Sequence, residues 1–487
     1  MLSFFFVCAI LIFIILVKGV FRLPKASVSK ENKKDFLKKC LIYINAIRQN
    51  GGRIDKAGLK NATGVAWPTL DNAIKKHFSL SYSPIKQNDN EFILDRNYSI
   101  LAGISIGATQ IKLFLCDFYY EPLWTNQSLR KNLSQVLDDL KLEDIRNNTD
   151  SQNNDVDWSY FCYKRENSIE GIVYRLEKIF NVLLKNNFLS SNLLSIGISF
   201  PGIINSDLRI DFSPNIKCLR NINIKDLLSN ELWTKLKEKN IPVHFEHDTQ
   251  AALIYEKEHL FKSNKNWASK KNVCCVYMAA GIGTSLIIDN TLYRGTSNSF
   301  GELGHTPAPD LLTSSIPDEN LTIKERDDKN NYFYNEKTII VSQKKNITPC
   351  ECGKLACLEN AFRRNVFDAY DTDSYLDTIN NTKELNNFHI NHPYRYRVLK
   401  EYLGYIIGLT INLLNPDMII FSGRIMRDIS KIGNELNTIK ANSAIGIPAA
   451  KCQISLGSKD IFSAAAGAAI SSLHCCIQEK DFCEIKW

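Results

Sequence analysis

Methionine is scarce in this 487-residue sequence: four occur, and after Met1 none appears before Met278. Strong overall charge is missing too. The formal net charge is +8, and with 44% apolar residues nothing marks the chain as fibrous or wholly disordered. The length allows more than one hydrophobic core, so two or three domains are expected. No basic stretch precedes the apolar N-terminus and no small-residue cleavage site follows it, which argues against a cleaved signal peptide. The fourteen cysteines are scattered through a long, core-rich chain. That distribution does not suit a small secreted disulfide scaffold and fits a reducing compartment, the cytoplasm, with one metal site.

Residues 2–17 form an almost purely apolar run, slightly short of the roughly twenty residues a spanning helix needs. Lys18, Arg22, Lys25 and Lys30 follow and would keep the body of an anchored chain in the cytoplasm. Two readings of residues 1–20 stand side by side: a membrane anchor, or an overextended start, with a non-Met initiation codon near Val20 or Val28. From Lys18 to Arg96 there are sixteen Lys and Arg against seven Asp and Glu, so the modest positive charge sits in an N-terminal module. A basic module on a near-neutral body suggests contact with a polyanion, nucleic acid or a lipid surface.

Within that module, residues 33–95 read as a winged helix-turn-helix. Phe36, Leu37, Cys40, Leu41, Ile44 and Ile47 recur at helical spacing before Gly51-Gly52. A short helix over Asp55–Ala62, a turn at Gly64 and a third helix from about Pro68 to His77 follow. Thr69, Asn72, Lys75 and Lys76 would face outward toward DNA, and the stretch from Phe78 to Leu94 would form the wing. A small helical oligomerisation domain is the alternative. The polar stretch 126–158 and the charged, Asn-rich stretch 308–345 read as surface insertions.

The densest chemistry lies in NSFGELGH, residues 298–305, taken with CECGKLACLE, residues 350–359. Cys350, Cys352 and Cys357 supply three soft ligands within eight residues, and His305 can complete a tetrahedral Cys₃His site for a structural zinc ion. Glu302 and Glu359 flank that site. Elsewhere, residues 241–260 read as a strand followed directly by a helix, and Asp248 stands at their junction, where α/β folds place their chemistry. Capping the helix is the common fate of such an aspartate; accepting a proton from a ligand hydroxyl is the functional alternative.

The pair GELGH and CxCGxxxCxE resembles the signature of the ROK family of sugar-responsive repressors and sugar kinases, with Ala356 in place of the usual Gly. The resemblance runs from about residue 33 to the C-terminus. It implies two ribonuclease H-like, actin-like ATPase lobes behind the winged helix-turn-helix. The expected first lobe spans 97–225, and the second spans 226–487 with a C-terminal helix returning to the first. By the same resemblance a sugar or sugar phosphate would lie between the lobes on Asn215, His247, Asp248, Glu302, His305 and Glu359, with His247 where the family usually has Asn. Gly107 and Thr109, then Gly281, Gly283 and Thr284, and finally Gly423, match turns that face a nucleotide in the family's kinases. Those kinases carry an Asp, associated with the metal-nucleotide complex, at the position of Ser105. A hydroxyl cannot supply that charge to Mg²⁺, which argues against a kinase. The expectation is a DNA-binding, sugar-responsive regulator, a homodimer or higher homo-oligomer in which lobe closure alters presentation of the helix-turn-helix pair. The alternative is a hexose kinase using ATP and Mg²⁺, with Asp248 as general base.

Overall fold

The computed structural model describes residues 30–123, 160–205, 207–263, 270–308, 350–354, 357–369, 372–429, 431–458 and 460–478. The apolar run 2–17, the insertion 126–158 and nearly all of 308–345 lie outside the described residues. Among those described, no helix is long and apolar enough to cross a membrane. Two compact units emerge, one built of residues up to Ile47 with Arg53–Leu94, the other of Arg48–Gly52 and everything from Asp95 onward.

The small unit contains α1 (Lys30–Gln49), β1 (Arg53–Asp55), α2 (Lys56–Thr63), α3 (Trp67–Ala73), β2 (Ile85–Asn88) and β3 (Glu91–Leu94). Asp55 caps α2 by accepting a hydrogen bond from Gly58 N, and Gly64 ends it at φ 67°, a left-handed turn that suits glycine. Pro68 sits in the first turn of α3, where its missing N–H costs nothing. The expected third helix does not run on to His77 as a regular α-helix: from Ile74 to Phe78 the backbone widens into a π turn. The strands form one antiparallel sheet in the order β1-β3-β2, with edge-to-face ring contacts from Phe78 to Tyr43 and to Phe92 beneath it. Thr69, Asn72, Lys75 and Lys76 are all exposed, on α3 and the π turn.

The large unit holds two five-stranded sheets. The first is ordered β10-β7-β4-β5-β6, from β4 (Ile100–Ile106), β5 (Gln110–Cys116), β6 (Tyr160–Lys164), β7 (Leu193–Phe200) and β10 (Val243–His247). A two-stranded ribbon, β8 (Ile203–Ile204) and β9 (Ile210–Phe212), projects from it. The amphipathic helices α4 (Ile169–Lys185) and α5 (Asn230–Glu238) cover one face of this sheet with Ile172, Leu176, Phe180, Leu232 and Leu236. Strand β10 pairs in parallel with β7, so the first lobe runs through His247 and the expected boundary at residue 226 falls too early. The pairing is non-local, and that is why the strand's own residues did not reveal it.

The second sheet is ordered β13-β12-β11-β14-β15, from β11 (Val273–Met278), β12 (Ile282–Ile288), β13 (Thr291–Tyr293), β14 (Met418–Ser422) and β15 (Gln453–Leu456). Its outer face packs on α7 (Leu358–Phe367), α8 (Thr372–Asn380), α9 (Pro393–Leu414), the short α10 (Arg424–Asp428) and α11 (Ile432–Ser443). Helix α6 (Asp248–Ser263) and the C-terminal α12 (Ser463–Gln478) fill the inner layer. The small residues of α12 allow backbone to approach backbone. A Cβ at Gly103 of β4 would come within 1.8 Å of Ala465 O, one at Gly197 of β7 within 1.9 Å of Ala468 O, and one at Gly467 within 1.7 Å of Ala251 O.

Candidate functional site

Strand ends and turns from both sheets converge on one cleft. Its lining includes Asn215, His247, Asp248, Glu302, His305 and Glu359, and also Gly107, Thr109, Gly281, Gly283 and Gly423. Thr284 is the exception among the expected residues. It is buried on β12, and its N–H and hydroxyl both donate to Gly301 O, so it serves the packing of the turn at 298–305 and does not line the cleft.

Asp248 is placed by the β10–α6 junction. Its Oδ1 is enclosed and has no hydrogen-bond partner, with His247 Nδ1 3.3 Å away. Burial pushes its carboxyl above the ordinary aspartate range, while His247 pulls the other way. An enclosed carboxylate oxygen without a hydrogen-bond partner is able to accept from a hydroxyl placed in the cleft. Glu302 lies 3.8 Å from His247 Nε2 and 3.7 Å from His305 Nε2. Those three side chains and Asp248 form one polar wall.

Glu359, in the first turn of α7, is held from two sides. Ile282 N donates to Oε2 at 2.9 Å and Arg363 Nη2 approaches Oε1 at 2.6 Å. The same Arg363 nitrogen donates to Asn215 Oδ1 at 3.2 Å and to Ala280 O at 2.5 Å, and the guanidinium lies 4.9 Å over the Tyr375 ring. One buried cation thus aligns two cleft-lining residues and the glycine turn. Sequence reading missed Arg363; its i,i+4 spacing from Glu359 on a helix was the available signal.

Below this wall the metal candidates meet. His305 Nδ1 and the Sγ atoms of Cys350, Cys352 and Cys357 all lie within 4.8 Å of one another. His305 Nδ1 is 3.3 Å from Cys350 Sγ, and Cys352 Sγ is 3.3 Å from Cys357 Sγ. Zinc bonded to sulfur at about 2.3 Å sets tetrahedral ligand separations of roughly 3.8 Å, so the four atoms fit that ion with small adjustments. His305 turns Nδ1 to this cluster and Nε2 toward Glu302, which links the cluster to the cleft. The knuckle also reaches the first lobe: Glu351 pairs with Lys217 at 2.8 Å and with Arg220 at 3.2 Å.

Another buried carboxylate, Glu256 of α6, accepts from Ser422 Oγ (2.6 Å), Ser458 N (2.6 Å) and Ser458 Oγ (3.1 Å). Burial raises it from 4.5 to about 7. Its contribution to stability is complete below the unfolded value, declines as the unfolded chain loses its proton first, and is gone above about 7, a loss of about 3 kcal/mol. Glu256→Gln is expected to flatten the fall in thermal midpoint between those two pH values. An unchanged slope would show that Glu256 titrates normally.

A model of the ROK family matches residues 162–473, well over half of the chain. This protein belongs to the ROK family. Among its relatives, the xylose repressor of Bacillus subtilis (strain 168) is 29% identical over 255 residues, 50% of this chain and 52% of that one. The chain therefore spans about half the length of that relative. A putative xylose repressor of Caldicellulosiruptor sp. (strain Rt8B.4) is 22% identical over 426 residues, covering 82% of this chain and 84% of its own. The structure of a ROK family glucokinase from Streptomyces griseus, in complex with glucose and AMPPNP, aligns with a TM-score of 0.49 at 16% identity, covering 77% of this chain and 99% of that one. The lobes of this member are α/β.

Proposed function

We propose that the chain is a sugar-responsive transcriptional regulator, with a sugar in the cleft and DNA on the small basic unit. The observation that carries this reading is the division of the cleft. Its sugar side has acceptors on Asn215, His247, Asp248, Glu302 and Glu359, whereas Ser105 stands where a kinase needs a carboxylate for its metal-nucleotide complex. The exposed Thr69, Asn72, Lys75 and Lys76, following a proline-opened helix, suit a DNA groove and its phosphates. Two relatives bearing the name xylose repressor support the same assignment. Zinc on His305, Cys350, Cys352 and Cys357 would hold the two loops that carry Glu302 and Glu359; it would take no part in chemistry.

The test is a DNA shift with the chain's own upstream region, read against salt. Binding is expected to weaken steeply with salt, and Lys75→Ala or Lys76→Ala to reduce the logarithmic slope by about one each. Asp248→Ala is expected to leave DNA binding intact and abolish the response to sugar. No DNA shift at low salt would remove the reading. The alternative, a hexose kinase with Asp248 as base, is supported by that residue's enclosed, raised carboxyl, and phosphorylation of a hexose in an ATP-coupled assay would establish it.

A further inference from the structure

Trp67, the first residue of α3, is 42% exposed, and the residues beside it, Ala66, Pro68 and Thr69, are exposed as well. A single apolar side chain in water is ordinary; the setting of this one is not. Lys56 and Lys60, one turn apart on α2, bring their Nζ atoms within 5.6 and 5.3 Å of the centroid of its ring. Asp71, one turn along α3 from Trp67, pairs with Lys56 at 2.5 Å. Trp67 and Asp71 therefore make one row on α3, and the two lysines make the row beside it on α2. An ammonium is drawn to the negative face of an indole, so the lysines hold the ring in place and keep positive charge around it.

Leu70 and Ala73 mark the buried side of α3. At about 100° per residue, Asn72 falls near the middle of the outer side, with Trp67 at the margin toward α2 and Thr69 at the other. A DNA duplex offers such a face phosphates along the walls of a groove and base edges along its floor. The ammonium groups match the phosphates. The base edges of the major groove present hydrogen-bonding groups and one apolar group, the 5-methyl of thymine. An indole carried into that groove has this methyl to pack on. A second copy of the chain suits the face less, because a two-fold contact would set its lysines against their own counterparts.

We propose that Trp67 reads thymine: its indole packs on the 5-methyl group of a thymine in the major groove, with Lys60 beside it on a phosphate and Lys56, pinned by Asp71, fixing the ring. The inference rests on the regulator reading and deepens it, since it names one base that the bound DNA carries and the side chain that recognises it.

The experiment begins with the duplexes that the full chain retains from a random library, which supply a preferred site without knowledge of the operator. Each thymine of that site is then replaced by deoxyuridine, which removes the methyl and keeps the base pairing. At one thymine or more the wild type is expected to lose about fourfold in affinity, as for one buried carbon. Trp67→Ala should weaken the intact site about tenfold or more, weaken random DNA far less, and be indifferent to the same uracil; Trp67→Phe should keep part of both effects. Lys60→Ala, by contrast, should weaken selected and random DNA alike and lower the logarithmic salt slope by about one. Thermal midpoints and light scattering confirm that each variant is folded and assembled as the wild type is. Uracil effects that persist undiminished in Trp67→Ala, equal losses on selected and random DNA, or a change of assembly state in that variant, which would make Trp67 a contact between copies, would each overturn the proposal. A chain that retains no DNA removes the regulator reading and this inference together, whereas one that binds DNA and keeps its full uracil response without Trp67 loses only this inference.

Discussion

Replacing Cys357 by serine is expected to remove one zinc ion per chain and to lower the thermal midpoint by about 10 °C or more, because metal-binding free energy in such a site is folding free energy. The loss should reach beyond the knuckle. Cys357 immediately precedes α7, pairs through a bridge with Pro307, and is followed by Leu358, whose N–H donates to Thr306 O at 2.8 Å. The two loops it joins carry Glu302, His305 and Glu359, so sugar affinity should fall together with metal content. Elemental analysis of the purified wild type and variant, beside melts with and without a strong chelator, checks this. A wild type that holds no zinc and melts unchanged in chelator would reduce the cluster to four neighbouring side chains.

The second large effect concerns a charge the cleft never sees. Glu246 is fully buried on β10, two residues before Asp248. Arg294, from the segment leading into 298–305, grips both of its oxygens, with Nη2 to Oε2 at 2.7 Å. Gln250 Oε1 accepts from Arg294 at 2.6 Å, and Ser471 Oγ of α12 donates to Glu246 at 2.6 Å. Burial alone would raise Glu246; Arg294 and then His244 instead hold it well below the usual carboxylate range. Arg294→Ala leaves that carboxylate unpaired in the interior, at an expected cost of about 3–5 kcal/mol. The sign of its pH dependence is diagnostic. Without the guanidinium, Glu246 takes up a proton on folding above about 4.5, and below that value the wild type loses the stability its depressed carboxyl supplies, so the gap should narrow as pH falls through both ranges. Chemical denaturation of both proteins across acid pH measures it, and a gap that stays constant would mean that Glu246 had found another cation.

What could be read in the sequence was chemistry carried by neighbours along the chain. Three cysteines within eight residues mark a candidate metal knuckle whatever the fold, and Asp248 at a strand-to-helix junction is visible because both periodicities meet there. The Glu246–Arg294 pair was not visible, since its members are 48 residues apart and charged residues are ordinarily read as surface. For Arg363 only the i,i+4 spacing from Glu359 was legible; its contacts with Asn215 and Ala280 reach elements far away in the chain. The sheet to which β10 belongs was misplaced for a related reason: a buried strand's residues declare that it is covered on both faces, and they say nothing of its neighbour. The widening of the third helix after Ala73 likewise has no clear mark in IKKHF.

Helix α12 has a consequence for synthesis. Its Ala465 and Ala468 carbonyls lie directly over Gly103 and Gly197, on strands made some 360 and 270 residues earlier in the chain. While the ribosome is still at work, β4 and β7 present one uncovered apolar face that only the last described helix can close. The first lobe therefore cannot complete its packing until α12 has been made, a non-local closure that leaves its strands exposed to aggregation in the interval. A chain lacking Ser463–Gln478 would still encode the cleft-lining residues of both sheets, yet leave this face of β4 and β7 bare.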